Sequence, residues 1–295
     1  MIVVGLVGLA FYYLTNQEVN PFSGKKEFNA ISIEQASRLG EQSYVQILQQ
    51  ERRNVLCVEG CETDAADEIV ARVREIGERL QQAAIEYEND LAAEGWSFTP
   101  VAEDFAWTYN VIRSEQPNAF CLPGGYVAIY TGIMDVTGNF DGEVTLADLE
   151  DPDKLAVVMG HEIGHAMAHH GAKRMSQTQL AQLGMAAASL GVGDLDAGQR
   201  QLVLGAMGVA AQGSLKKFSR QHETEADRIG LELLVRACYD PREAPDLWER
   251  MGSIGGQRPP EWMSTHPASE TRAQNFRDWM PDYIEQYEAN CGALR

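Results

Sequence analysis

The amino-acid sequence predicts an α+β fold that is mostly helical and carries one small sheet, mixed or antiparallel. Three observations lead to it. Apolar residues recur at steps of three and four over long stretches, two short β-branched and aromatic runs flank a Pro-Gly-Gly turn, and no internal repeat divides the chain. Residues 1–24 read as an apolar N-terminal segment and linker, and residues 25–295 as a single domain. A chain of 295 residues with 44% apolar and 23% charged content has the composition of an ordinary globular protein with a sizeable core. Its formal charge of −19 excludes the basic face of a general nucleic-acid binder.

Taken in order, the run Ile2 to Leu14 is apolar throughout but shorter than the roughly 20 residues that span a bilayer. It reads either as a buried N-terminal helix or strand, or as the remnant of a signal or anchor. The second reading implies membrane association through residues 2–14 and a periplasmic or envelope location; the pair Lys25-Lys26 after the run opposes it. Ser32 to Gln50 and Asp64 to Ala93 read as helices, the second with Ile69, Val73, Ile76, Leu80, Ala84, Tyr87 and Leu91 in one stripe. Phe105 to Ile112 and Tyr126 to Tyr130 read as strands, with Pro123-Gly124-Gly125 as the turn signal between them.

Asp151-Pro152-Asp153 starts a helix that should reach about Gly171. Leu180 to Gln212 is rich in Ala, Gly, Leu and Met and is broken by Gly191-Val192-Gly193-Asp194. It reads as a helical hairpin, either lid, membrane-contacting element or core. A further helix is expected from near Ser219 to Ala237, then a loop at Pro259-Pro260 and a last helix opened by Pro267. Of the five cysteines, Cys57 and Cys61 lack the second pair that a zinc ribbon needs. An exported location would instead pair Cys57 with Cys61 and Cys238 with Cys291, leaving Cys121 free.

The chemistry concentrates in His161-Glu162-Ile163-Gly164-His165. Histidines four apart lie on one helix face, so both imidazoles can reach one cation. Glu162, about 100° around the helix, can reach an attacking water without ligating the metal. Gly164 and Ala166 are small enough to admit a second backbone close by. A catalytic zinc needs a third protein ligand. Glu223 and Asp227, four apart in Ser219-Arg220-Gln221-His222-Glu223-Thr224-Glu225-Ala226-Asp227, offer a ligand and a carboxylate to fix a ligand histidine's tautomer. Glu225 is expected to face solvent, and His169 and His170 to be surface histidines.

These motifs, together with Asn118-Ala119-Phe120-Cys121-Leu122-Pro123-Gly124-Gly125-Tyr126 and Ser264-Thr265-His266-Pro267, resemble those of the HtpX and CaaX prenyl-protease family of gluzincins. The likeness runs from about Ile31 to Trp279. It departs from polytopic members in having no evident long membrane span, and from some periplasmic members in having no tetratricopeptide repeats. The resemblance implies a zincin-like metalloendopeptidase domain whose edge strand lines the active-site cleft. It further implies one Zn2+ per chain on His161, His165 and Glu223, Glu162 as general base, and Asp227 and Arg220 in support. His266 would be a fourth ligand, an oxyanion stabiliser or a helix cap. Asn118, Gly125, Tyr126, Val127 and Ala128 would bind substrate, with Tyr126 to Thr131 as the open edge, although the same pattern suits a central strand. The implied partners are polypeptides, unfolded or damaged.

Overall fold

The computed structural model describes residues 2–57, 63–96, 98–139, 144–191, 197–254, 266 and 270–292. Helix α1 (Ile2–Thr15) leads into a hairpin of β1 (Gln17–Val19) and β2 (Lys26–Phe28). Phe28 is buried, with Tyr12 and Tyr13 of α1 at ring-centroid distances of 5.6 and 5.4 Å. The expected boundary between residues 24 and 25 falls inside the turn of this hairpin. Helix α1 packs on α6 (His170–Gly191) and leaves Val7, Phe11 and Leu14 exposed on its other side. Among the described residues no helix is long and apolar enough to cross a membrane.

Helix α2 (Ile33–Gln50) begins at a reciprocal cap, in which the Gln35 amide donates to Ser32 Oγ and the Ser32 amide to the Gln35 side chain. Helix α3 (Asp64–Ala93) is capped by Thr63 and buries the stripe from Ile69 to Leu91. The three strands that follow, β3 (Thr108–Ile112), β4 (Ala119–Leu122) and β5 (Tyr126–Tyr130), form a mixed sheet in the order β3-β5-β4, parallel between β3 and β5 and antiparallel between β4 and β5.

This order corrects the expected edge. Tyr126–Tyr130 is the central strand, and Val127, Ala128 and Ile129 are fully buried. An unbroken apolar run between turn signals is what a strand paired on both sides requires. The short strand Ala119–Leu122 supplies the edge. Pro123-Gly124-Gly125 joins β4 to β5, with φ of +95° and +83° at the two glycines, a region only glycine enters without strain.

Helix α4 (Thr131–Thr137) and a 3-10 turn (Leu146–Leu149) lead to α5 (Asp153–Met167), which crosses the core with nearly every side chain buried. The helix stops at Met167 rather than near Gly171, because His169 takes a left-handed conformation at φ +56° and redirects the chain into α6. Helix α7 (Ala197–Arg236) is continuous for 40 residues, so no new helix begins at Ser219. The break in the hairpin between α6 and α7 lies outside the described residues, as do Pro259-Pro260 and Pro267. Helices α8 (Glu243–Ile254) and α9 (Glu270–Cys291) close the core, and Cys238 is bonded to Cys291. Cys121 is free and buried. Cys57 is also disulfide-bonded, and its expected partner Cys61 lies outside the described residues.

Candidate active site

Helices α5 and α7 approach closely because glycines face each other. A Cβ on Gly164 would lie 3.0 Å from the Ala226 carbonyl oxygen, and one on Gly230 would lie 3.1 Å from the His161 amide nitrogen. The contact sets the His161 and His165 face of α5 against Glu223 on α7. His161 Nε2 lies 3.1 Å from His165 Nε2, 3.4 Å from Glu223 Oε2 and 3.2 Å from His266 Nδ1. His165 Nε2 is 3.5 Å from Glu223 Oε1, and His266 Nδ1 is 3.0 Å from Glu223 Oε2. All four donor groups converge within 4.8 Å.

Zinc bound tetrahedrally at about 2.0–2.1 Å holds neighbouring ligand atoms about 3.3–3.4 Å apart. The observed spacings of 3.0 to 3.5 Å match that figure. Three imidazoles and one carboxylate are also a donor set that zinc favours. Glu162 is buried beside this set, with Oε1 3.7 Å from His266 Nε2.

Each histidine of α5 has its own support. Asp227 Oδ1 is 3.0 Å from His161 Nδ1, on the side of the ring away from the other donors. Asp227 in turn accepts two bonds from Arg272 of α9, at 2.7 and 2.6 Å, and a third Arg272 N–H reaches Glu223 Oε2 at 3.2 Å. The guanidinium is stacked 3.5 Å from the Trp248 ring centroid. The resemblance assigns a supporting role to Arg220, and here Arg272 fills it. Arg220 instead is exposed and borders the groove, and its carbonyl accepts from the hydroxyl of Thr224. Residues 220 and 223 share a helix face, but the site occupies only the deep end of it.

Two further expectations are corrected. Glu225 does not face solvent; its Oε2 accepts from His170 Nε2 at 2.9 Å and from Asn20 Nδ2 at 2.7 Å. His170 is buried, with Nδ1 2.8 Å from His165 Nδ1 and its ring stacked 3.9 Å from that of His222. The β1–β2 hairpin covers the side of α7 that helix periodicity alone assigns to water.

Electrostatics follow this packing. Burial opposes ionisation of His161, yet hydrogen bonds to Asp227 and Glu223 push its pKa up to about 9. Burial also opposes ionisation of Glu223, but His161, His266 and His165 hold it far below the usual carboxylate range. Burial lowers His165 and His170 well below the ordinary imidazole value, helped by the positive neighbours of each, and brings His222 down to about 4.

A groove runs past the site. Residues Asn118 to Pro123, which include β4, line it, as do Ser219, Arg220 and Arg228 of α7. Among the residues expected to bind substrate, Asn118 is on the groove, while Gly125, Tyr126, Val127 and Ala128 are not among its lining residues. Sequence periodicity missed Arg272, His170 and Asn20. Nothing in the spacing of Arg272 sets it apart from Arg277, which pairs with Glu249 at the surface.

Comparison with known proteins agrees with this geometry. The model of peptidase family M48 matches residues 80–280. The mitochondrial metalloendopeptidase OMA1 of Schizosaccharomyces pombe is 31% identical over 291 residues, covering 97% of this chain and 73% of its own. Metalloprotease YcaL of Escherichia coli is 27% identical over 75% of this chain and 76% of its own. The Escherichia coli β-barrel assembly-enhancing protease is 31% identical over 57% of this chain and 33% of its own. With the match spanning most of the chain and a donor set spaced for zinc, the chain belongs to peptidase family M48 and is a zinc metalloendopeptidase.

Proposed function

We propose that this metalloendopeptidase cleaves unfolded or damaged polypeptides, with zinc held by His161, His165 and Glu223 and with Glu162 as general base. The observation that supports these assignments most directly is the convergence of the donor atoms at tetrahedral spacing with a buried carboxylate alongside. When bound, zinc supplies Lewis acidity that polarises a peptide carbonyl and makes water a nucleophile near neutral pH. Glu162 takes the proton of the attacking water as the new C–O bond forms. It returns that proton to the amide nitrogen as the C–N bond breaks.

Strand β4 is hydrogen-bonded to β5 on one side and borders the groove. An extended substrate adding to its free edge would be held by backbone hydrogen bonds, with little selection among side chains. That suits unfolded chains. A location in an oxidising compartment such as an envelope is supported by the Cys238–Cys291 bond. The apolar stripe Val7, Phe11 and Leu14 supports membrane association through residues 2–14.

The position of His266 favours a second reading of the resting state. Its Nδ1 stands 3.2 Å from His161 Nε2 and 3.0 Å from Glu223 Oε2, which supports a role as a fourth ligand that would close the site in the absence of substrate. In the extreme, the protein holds zinc and binds polypeptides with little turnover. Casein digestion by the Glu162→Gln variant tests the assignment. A loss of about 10²–10⁴-fold in kcat with one zinc retained is expected; near-normal digestion by the zinc-loaded variant overturns it.

A further inference from the structure

We infer that His170, Glu225 and Asn20 form a positioning chain for the metal ligand His165, so that the hairpin of residues 17–28 is a working part of the metal centre. The inference rests on the assignment of His161, His165 and Glu223 as zinc ligands. With Nε2 of His165 directed at the other donors, the proton of that ring belongs on Nδ1, which lies 2.8 Å from His170 Nδ1. His170 must then accept there and carry its own proton on Nε2, which donates to Glu225 Oε2 at 2.9 Å. The same carboxylate oxygen accepts from Asn20 Nδ2, which also reaches Glu27 Oε2 at 2.9 Å. Glu27 is fixed by the buried ammonium of Lys173 at 2.6 Å. Asn20 is locked in turn, because its carbonyl oxygen accepts from the amides of Phe22 and Ser23.

Only one assignment of donors and acceptors satisfies every member, and Asn20, His170 and Lys173 are all buried. Such a chain resists rotation of the His165 ring, because a turn leaves the acceptor nitrogen of the buried His170 without its partner. The two ligand histidines are thus held by different means. His161 meets a carboxylate directly, whereas His165 meets one through an intervening neutral imidazole. The second arrangement spans three parts of the chain: the hairpin, the start of α6 and the middle of α7.

The test compares His170→Leu, His170→Asn and Asn20→Ala by competition of the full chain with a zinc chelator, alongside melting of each zinc-free protein. Leucine removes the acceptor while filling the space, and zinc affinity should fall about 10–100-fold. Asparagine offers its amide oxygen to the His165 N–H and should recover most of that loss. Asn20→Ala, remote from the donor atoms, should weaken zinc by roughly 3–10-fold, at the lower end of such outer effects. Wild-type affinity in both the leucine and alanine variants overturns the inference. So does a loss that merely tracks the melting temperature of the zinc-free protein and is not recovered by asparagine, which would mark a packing role. His161→Ala and Glu223→Ala run in parallel separate this inference from the assignment beneath it, since stoichiometric zinc in either variant defeats the assignment itself.

Discussion

Arg272 bridges two buried carboxylates, Glu223 and Asp227, and is itself almost fully buried. Removing it leaves two desolvated negative charges with one fewer counterion. Arg272→Met should therefore cost about 3–5 kcal/mol of folding stability in the zinc-free protein, with part of the loss offset when zinc is added. Chemical denaturation with and without zinc measures both terms, and an unchanged unfolding midpoint would show that the pairs carry no net stabilisation. At this scale legibility follows spacing. His161, Glu162, His165, Glu223 and Asp227 could be singled out because each pair lies within one or two helix turns, where periodicity dictates a shared face. Arg272, His170 and Asn20 take their roles from residues up to 205 positions away, such as the Asn20–Glu225 bond, and no local pattern records such a partnership.

The elements that matter most to the site are α5 and α7, held close by Gly160, Gly164 and Gly230. Gly164→Val would place new atoms against the Ala226 carbonyl and the Ile229 side chain, which a Cβ would already meet at 3.0 and 3.2 Å. The expected cost is about 1–3 kcal/mol from overpacking. The forced separation should also weaken zinc binding, because the histidines ride on one helix and Glu223 on the other. Thermal melting and metal titration check the two effects, and a variant with native values of both would show that the gap is not tightly set. Helices with a clear stripe and a cap, such as α2 and α3, were legible almost to the residue. Strand β4 was not, since Ala-Phe-Cys-Leu is too short to display a period, and without it the pattern of β5 suits an edge and a central strand alike.

Across the whole molecule, Glu88 sets a pH dependence separate from the active site. Its Oε2 accepts from the amides of Val101 and Ala102, and burial pushes its pKa up to about 7 from an ordinary 4.5. The folded state therefore holds this proton more tightly than the unfolded chain. The associated stability is fully present below pH 4.5 and is lost as pH rises to about 7, a fall of about 3 kcal/mol. Glu88→Gln should flatten that part of the stability profile; denaturation midpoints measured from pH 4.5 to 8 decide it, and an equal slope in both proteins would rule Glu88 out as its source. The α+β class and the mostly helical architecture were legible from periodicity and caps. The joining of the N-terminal hairpin to the core was not, because nothing in the sequence around Asn20 and Glu27 records that Glu225 and Lys173 stand beside them.

The seat of His266 among the donor atoms has a kinetic consequence. As the proposed fourth ligand, tethered to the same chain, His266 would compete with substrate at an effective concentration fixed by geometry and so act as a built-in competitive inhibitor that dilution cannot remove. If the closed form outnumbers the open one by about tenfold, the apparent KM rises by about the same factor while turnover at saturating substrate is untouched by the competition. His266→Ala should then lower KM. If the same imidazole also stabilises the oxyanion, kcat falls about 10²–10³-fold in the same variant. Measured KM and kcat thus separate the two duties, and a variant with both unchanged would leave His266 neither. An enzyme regulated this way would be switched on by the local abundance of its own substrate.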